Sequence, residues 1–98
     1  MIVVRTIFRL KFGKAKEAKA LMGEIMEINK KSGVTSTRVL TDFTGVSYTL
    51  VLENSFESLA DFENKLKNVF ASKDYQESYQ KFIPLVDSAC REIFTVVA

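Results

Sequence analysis

The sequence predicts an α+β sandwich in which helices cover one face of a single sheet. Three observations support this class. Hydrophobic periods follow one another along the 98 residues as strand, helix, strand, strand, helix, strand. One face of the first and third strands is almost wholly apolar, and an extra short helical period precedes the last strand. This βαββαβ order is ferredoxin-like. We expect one domain over residues 1–98, with a four-stranded antiparallel sheet in the order 4-1-3-2.

The first strand is predicted over residues 2–12 because its apolar side chains alternate with a period of two, which places alternate residues on opposite faces of a sheet. The apolar face takes the even positions, Ile2, Val4, Thr6, Phe8, Leu10 and Phe12. The odd positions form a mixed face. A helix over residues 14–32 follows, because apolar residues recur there at helical spacing and Gly33 suits a helix end.

The remaining elements are predicted from the same two periods. They are a hairpin of strands 35–43 and 46–54 turning at Thr44-Gly45, helices over 58–70 and 73–83, and a last strand over 89–97. In the second hairpin strand, the apolar face holds Val46, Tyr48, Leu50 and Leu52. The apolar stripe of the helix over 58–70 is Leu59, Phe62, Leu66, Val69 and Phe70. Pro84 ends the following helix.

The composition excludes several kinds of chemistry. The chain has no histidine, so Ser-His-Asp and Cys-His catalysis are excluded. With one cysteine and no histidine, a zinc site would need carboxylates almost alone, and we expect no metal. The four glycines form neither GxGxxG nor a phosphate loop, and we expect no cofactor.

Location is predicted from the cysteine count and from the apolar stretches. Cys90 has no partner for an internal disulfide, which fits a reducing compartment, and we expect a cytoplasmic protein. The apolar stretches are far shorter than a membrane span, and the N-terminus lacks the pattern of a signal peptide. We therefore expect no membrane association.

The mixed face of the sheet predicts a homodimer. Its residues are too apolar for a fully wet surface and too polar for a monomer core: Val3, Ile7, Thr49, Val51 and Ile93. A domain of this size also buries a modest share of its surface, so a second copy would add stability. We expect the chain to pair with itself through this face.

A candidate ligand site combines arginines with tyrosines. We expect any pocket either on the mixed face or between sheet and helices, with Arg5, Arg9 and Arg38 as anion contacts and Tyr48, Tyr75 and Tyr79 near its walls. These strong polar groups lie beside apolar surface, which small-molecule sites require. The alternative is that the arginines form ion pairs with Glu53 and Glu92 while the tyrosines bury their rings. Both interpretations stay open.

Several short segments resemble a known superfamily. They are Gly13 after the first strand, Gly45 in the hairpin, the run from Phe56 to Glu63, and Ile83-Pro84-Leu85-Val86 leading into Arg91-Glu92-Ile93-Phe94. Over nearly its whole length the chain is similar to the dimeric α+β barrel superfamily, in particular to NIPSNAP-like and antibiotic-biosynthesis-monooxygenase-like domains. The resemblance implies subunits that pair sheet faces across a two-fold axis. It also implies a pocket between sheet and helices or in the shared barrel.

The resemblance leaves the activity open. The superfamily includes cofactor-independent oxygenases, haem-degrading enzymes, isomerases and proteins without known activity. Haem-degrading members use an Asn, Trp and His set, and this chain has neither Trp nor His. Oxygenases of polyaromatic substrates use Tyr, Asn, Trp and Arg, for which Tyr48, Asn54 and Arg5 or Arg38 are the matching types here. A cofactor-independent monooxygenase-like enzyme is therefore one alternative.

The residues themselves favour a binding protein or weak enzyme for a small, partly apolar molecule, with an anionic group suggested by the arginines. An RNA-recognition module has the same strand order, but it stacks bases on exposed aromatic residues of its central strands. The mixed face of 46–54 instead carries Ser47, Thr49 and Val51. We therefore expect no nucleic-acid partner. A regulatory amino-acid-binding module, which shares this strand order, stays open, and so does the question of catalysis.

Overall fold

The computed structural model describes residues 1–98 and has the predicted α+β architecture. Its elements are β1 (Ile2–Leu10), α1 (Ala15–Lys31), β2 (Arg38–Thr41), β3 (Thr49–Phe56), α2 (Leu59–Ala71), α3 (Lys73–Phe82) and β4 (Val86–Thr95), with a 3₁₀ turn at Ile83–Leu85. The strands are antiparallel and lie in the order β2-β3-β1-β4. This is the predicted ferredoxin-like order, and α3 is the predicted extra helix.

The core lies between the helices and the sheet face that carries the even positions of β1 and β3, as predicted. Phe8 and Leu50 are neighbours across β1 and β3, and both are buried against α1 and α3. A second cluster packs against α2 and contains Val4 and Phe62. Because side chains alternate along a strand, burial of these residues leaves the odd positions on the opposite face.

Two serines cap the N-terminal ends of α2 and α3. The Ser58 Oγ accepts a hydrogen bond from the Asp61 N–H at 3.1 Å, and the Ser72 Oγ accepts one from the Tyr75 N–H at 3.3 Å. Each side chain satisfies one N–H of the first helical turn, which has no partner within the helix. Of the apolar stripe predicted for α2, Leu59 and Phe70 remain half-exposed.

The hairpin differs from the prediction. A seven-residue loop over 42–48 replaces the two-residue turn, so β2 ends earlier and β3 begins later than expected. The Thr49 N–H donates to the Asp42 Oδ1 at 2.9 Å, and the Asp42 N–H donates to the Thr49 carbonyl at 3.2 Å. These bonds close the loop at its base. Val46 was predicted to face the helices, but it lies in this loop and is 61% exposed.

The C-terminal end of β1 and the N-terminal end of β4 also differ from the prediction. β1 ends at Leu10, and Phe12 lies beyond it with 89% of its surface exposed. β4 begins at Val86 because the 3₁₀ turn containing Pro84 leads directly into it. There the Lys11 N–H donates to the Leu85 carbonyl at 2.8 Å, which attaches the turn to the end of β1.

The second face of the sheet carries no helix. The molecule measures 36 × 34 × 18 Å. Its shortest dimension, 18 Å, is the thickness of one sheet and one helical layer. The assignment of Ile93 to this uncovered face was wrong. Ile93 pairs with Val4 and Phe94 pairs with Val3, and directly opposed residues share a face. Phe94 therefore belongs to the uncovered face. None of the helices combines the length and the apolar character needed to cross a membrane.

Candidate functional site

A cavity of about 170 Å³ lies between the sheet and the helices. Its lining is mainly apolar and comes from α1, α2 and α3 as well as from three strands. An engineered apolar cavity of about 150 Å³ accepts a benzene molecule. The space is therefore large enough for a ligand built on one ring.

The sheet forms the floor of the cavity, and the strand register shows which of its residues face that space. Thr6, in the middle of β1, lies opposite Leu52 of β3 and Arg91 of β4. Because directly opposed residues share a face, all three point towards the helices, and all three line the cavity. Arg91 belongs to the edge strand and is exposed, so its guanidinium lies at the rim.

Arg91 is the single charged residue that lines the cavity. Its guanidinium carbon is 5.5 Å from the centre of the Phe62 ring, and it forms neither an ion pair nor a side-chain hydrogen bond. A guanidinium has five N–H donors. Arg91 therefore brings positive charge and unused donors to the edge of an apolar space.

Two asparagines add polar groups to the same cavity. The Asn29 Oδ1, from α1, is buried and accepts no hydrogen bond. The Asn54 Oδ1, from β3, accepts a hydrogen bond from the Thr37 Oγ1 at 2.5 Å. Asn29 therefore presents an unsatisfied acceptor, a group that costs about 1–3 kcal/mol when it is left without a partner.

Tyr75 and Tyr79 lie together on α3, as their spacing predicts. Their ring centres are 5.5 Å apart and the rings are nearly parallel, at 12°. Burial, together with a contribution from Tyr79, raises the pKa of Tyr75 to about 12, whereas Arg91 opposes the shift. Tyr75 is therefore a protonated hydrogen-bond donor at neutral pH.

The mouth of the cavity is aromatic. Phe70, Tyr75 and Tyr79 line both the cavity and a shallow depression on the outer surface. The Phe70 and Tyr75 ring centres are 5.8 Å apart. These three rings therefore lie between the interior space and solvent.

The three predicted arginines lie on the uncovered face of the sheet, away from the cavity. The Arg5 Nε donates to the Glu53 Oε2 at 2.8 Å, and Arg38 donates to the Glu53 Oε1 through its Nε at 3.2 Å and also through its Nη2. Arg9 donates to the Thr49 hydroxyl. The ion-pair alternative thus describes Arg5 and Arg38. A role for the arginines as anion contacts stays a prediction.

Glu53 is the centre of this arrangement and is only 9% exposed although no helix covers it. The hydrogen bonds from Arg38 and Arg5 lower the pKa of its carboxyl group from 4.5, and they outweigh the opposing effect of burial. Glu53 is therefore ionised at neutral pH and compensated by two guanidinium groups.

Tyr48 lies apart from the other two tyrosines. It occupies the loop over 42–48 with a positive φ of 61°, and its ring centre is 5.1 Å from that of Phe12. It lines a separate groove that also contains Asp42 and Lys19. The structure therefore brings Tyr75 and Tyr79 together and leaves Tyr48 elsewhere.

Sequence reasoning did not select Arg91 or Asn29, and it considered Asn54 only through the superfamily resemblance. Placing Arg91 required the pairing of β1 with β4, which sets it beside Thr6. Alternation within β4 did carry a signal, since Ala89, Arg91 and Ile93 share one face. Which of the two faces of β4 points towards the helices depends on its register with β1, which the sequence does not show.

Comparison with known proteins identifies the fold. No protein-family model matches the sequence, and no curated protein matches it. Among solved structures, the chain superposes on a NIPSNAP family protein from Agrobacterium tumefaciens with a TM-score of 0.90 and 18% identity, covering 98% of this chain and 92% of the other. An uncharacterized NIPSNAP domain protein from Burkholderia xenovorans superposes with a TM-score of 0.87 and 16% identity, covering 100% of this chain and 96% of the other.

A more distant group has the same architecture. A putative antibiotic biosynthesis monooxygenase from Nitrosomonas europaea superposes with a TM-score of 0.77 and 12% identity, and each chain covers 100% of the other. Identities this low establish a shared fold and carry over no activity. The chain thus has the fold of the NIPSNAP and antibiotic biosynthesis monooxygenase proteins, which confirms the fold expected from the resemblance.

Proposed function

We propose that this protein binds a small, partly apolar molecule in the cavity between its sheet and helices, and that it acts as a homodimer. The cavity is the observation that supports binding. Protein interiors are normally packed as densely as organic crystals. The space of about 170 Å³ opens to solvent beside Phe70, Tyr75 and Tyr79, and a partly apolar ligand would displace water from its apolar lining.

The polar groups around the cavity fit the same proposal. Ligand sites combine an apolar lining with a few well-placed polar groups. Here the polar groups are Thr6, Asn29, Asn54, Tyr75, Tyr79 and Arg91. Tyr75 is a hydrogen-bond donor at neutral pH because its pKa is about 12. These groups can orient a ligand without the histidine or carboxylate that general-base catalysis commonly uses.

Filling the cavity tests the binding proposal. Leu66→Phe adds volume at a lining position of α2, while Leu59→Phe makes the same change on the same helix at a half-exposed residue outside the lining. Titrations with benzyl alcohol, followed by amide chemical shifts, measure binding. We expect binding by the wild type and by Leu59→Phe, and a loss of at least about tenfold in Leu66→Phe. Equal affinities for the two variants would contradict the proposal.

The uncovered face supports the homodimer. Phe94 is 47% exposed there and lies opposite the half-buried Val3, and Ile7 on the same face is also half-buried. Exposed apolar side chains within a mixed face, on a sheet without a second layer, fit a self-complementary interface formed by a second copy. The ionised Glu53 already receives hydrogen bonds from Arg5 and Arg38, so pairing two such faces would not leave this carboxylate without a counter-ion.

Sedimentation velocity tests the homodimer. Phe94→Lys places a charge on the uncovered face, while Val97→Lys places the same charge in the exposed C-terminal segment beyond β4. We expect dimers at micromolar concentration for the wild type and Val97→Lys, and monomers for Phe94→Lys. A monomeric wild type would refute this part of the proposal.

A further inference from the structure

We propose that the ligand of the cavity is a one-ring aromatic carboxylate that carries a hydroxyl donor at the opposite end, with its carboxylate paired to Arg91 and its hydroxyl donating to the Asn29 Oδ1. This inference rests on the proposed function and names the class of molecule that the same cavity takes. It is carried by two unpartnered polar groups of opposite hydrogen-bonding type that lie on different walls of one apolar space.

The positive charge of Arg91 at the cavity favours an anionic ligand. Arg91 is unpaired and no carboxylate lines the cavity, so the positive charge has no internal counter-ion. A guanidinium binds a carboxylate through two parallel hydrogen bonds, and Arg is favoured over Lys for this contact. Because Arg91 lies at the rim on the edge strand, the carboxylate of the ligand would stay close to water while the ring enters the apolar space.

The unpaired acceptor selects a donor. The Asn29 Oδ1 is buried and carries lone pairs without a partner. It projects from α1, whereas Arg91 projects from β4, so the two groups belong to different walls. A ligand hydroxyl on the Asn29 side would satisfy the acceptor, whereas a ligand without a donor would leave it unpaired at a cost of about 1–3 kcal/mol.

The walls select a single ring. The lining contains six aromatic side chains, Phe8, Phe56, Phe62, Phe70, Tyr75 and Tyr79. Tyr75 and Tyr79 present nearly parallel rings at 5.5 Å, and flat aromatic ligands pack favourably against such surfaces. A space of about 170 Å³ is close to the size of an apolar cavity that accepts one benzene ring.

Calorimetric titration with three probes of nearly equal size tests the inference in the wild-type protein. The probes are benzyl alcohol, benzoate and 4-hydroxybenzoate. We expect 4-hydroxybenzoate to bind about tenfold more tightly than benzoate, because only the former satisfies Asn29 while pairing with Arg91. We also expect the affinity of benzoate to fall with salt. If benzyl alcohol binds as tightly as 4-hydroxybenzoate, the inference is overturned while the proposed function stands. If none of the three binds, the proposed function itself fails.

Two variants assign the contacts. Arg91→Gln should weaken the binding of 4-hydroxybenzoate at least tenfold and leave benzyl alcohol unchanged. Asn29→Leu should bring 4-hydroxybenzoate to the affinity of benzoate. Arg9→Gln, on the other face of the sheet, is the control and should leave the affinities for 4-hydroxybenzoate and for benzyl alcohol unchanged. A loss that follows Arg9 instead of Arg91 would place the anion site on the uncovered face and refute the inference. The ranking of probes in the wild type decides the matter even where a variant fails to fold.

Discussion

The ion pairs at Glu53 allow a quantitative prediction about the uncovered face. In the monomer, Glu53→Gln removes the charge that receives hydrogen bonds from both Arg5 and Arg38. The carboxylate side chain is 11% exposed, but the two arginine side chains are 45% and 67% exposed. Solvent therefore screens the ion pairs. We expect Glu53→Gln to lower the free energy of unfolding of the monomer by about 1 kcal/mol, at the upper end of the range for surface pairs.

Association changes this magnitude. If a second copy covers the face, the same three groups lose their water, and removal of one partner from a desolvated pair costs roughly 3–5 kcal/mol. Urea unfolding of Glu53→Gln should therefore cost about 1 kcal/mol at protein concentrations that favour monomers. The cost should be severalfold greater at concentrations that favour dimers. The size of the loss thus reports on the interface.

The pH dependence follows from the lowered pKa of Glu53. A carboxyl group whose folded pKa lies below its unfolded value of about 4.5 contributes stability that is fully present above that value. This contribution is lost as the pH falls through the folded pKa, because both states then bind the proton. The difference between wild type and Glu53→Gln should therefore shrink as the pH is lowered from 7 towards 3.

Glu92→Gln is the matched control for this experiment. Glu92 lies opposite Arg5 on β4, on the same face, but it forms no ion pair. We expect its substitution to change the free energy of unfolding by less than about 0.5 kcal/mol. Equal losses for the two variants, or a loss in Glu53→Gln that does not change with pH, would refute the reasoning.

Three further predictions concern the core, a helix end and a phenol. Phe82→Ala should cost about 3–5 kcal/mol in urea unfolding, because Phe82 is fully buried and its ring meets Phe8 edge-on at 4.9 Å; a loss under 1.5 kcal/mol would contradict the packing described. Ser58→Ala should lower the free energy of unfolding by about 1 kcal/mol, since its Oγ caps α2, and an unchanged urea midpoint would exclude that role. Since burial raises the pKa of Tyr75 from 10.0 to about 12, its phenol contributes stability that is present below pH 10 and lost as the pH rises towards 12. Ultraviolet absorbance should show one late-ionising tyrosine that is missing in Tyr75→Phe, and a late phase that survives the substitution would rule out this assignment.

The strand order and the buried face could be predicted because both depend on periodicity. A period of two along β1 assigns Phe8 to the helix side whatever its partners are, because alternate side chains of a strand always point to opposite faces. The same argument placed Leu50 correctly on β3. The i, i+4 spacing of Tyr75 and Tyr79 likewise required a shared helix face.

The element ends were harder to predict because they depend on individual hydrogen bonds. The predicted turn at Thr44-Gly45 contained a suitable glycine, and Gly45 does have a positive φ of 105°. The loop is wider because Asp42 binds Thr49 at its base. Such a bond between side chain and backbone competes with the strand ladder and is not visible in hydrophobic periodicity.

The sequence alone determined the α+β class, the order of elements and the division of the strands into an apolar and a mixed face, because these properties follow from local spacing. Only the tertiary structure decided which polar groups meet. Arg91 and Asn29 are separated by about 60 positions, and they line one cavity because the register of β4 on β1 and the packing of α1 bring them there. Arg5 and Arg38 converge on Glu53 for the same reason. Contacts between distant residues depend on register, and shifting a strand by one residue moves every side chain to the other face.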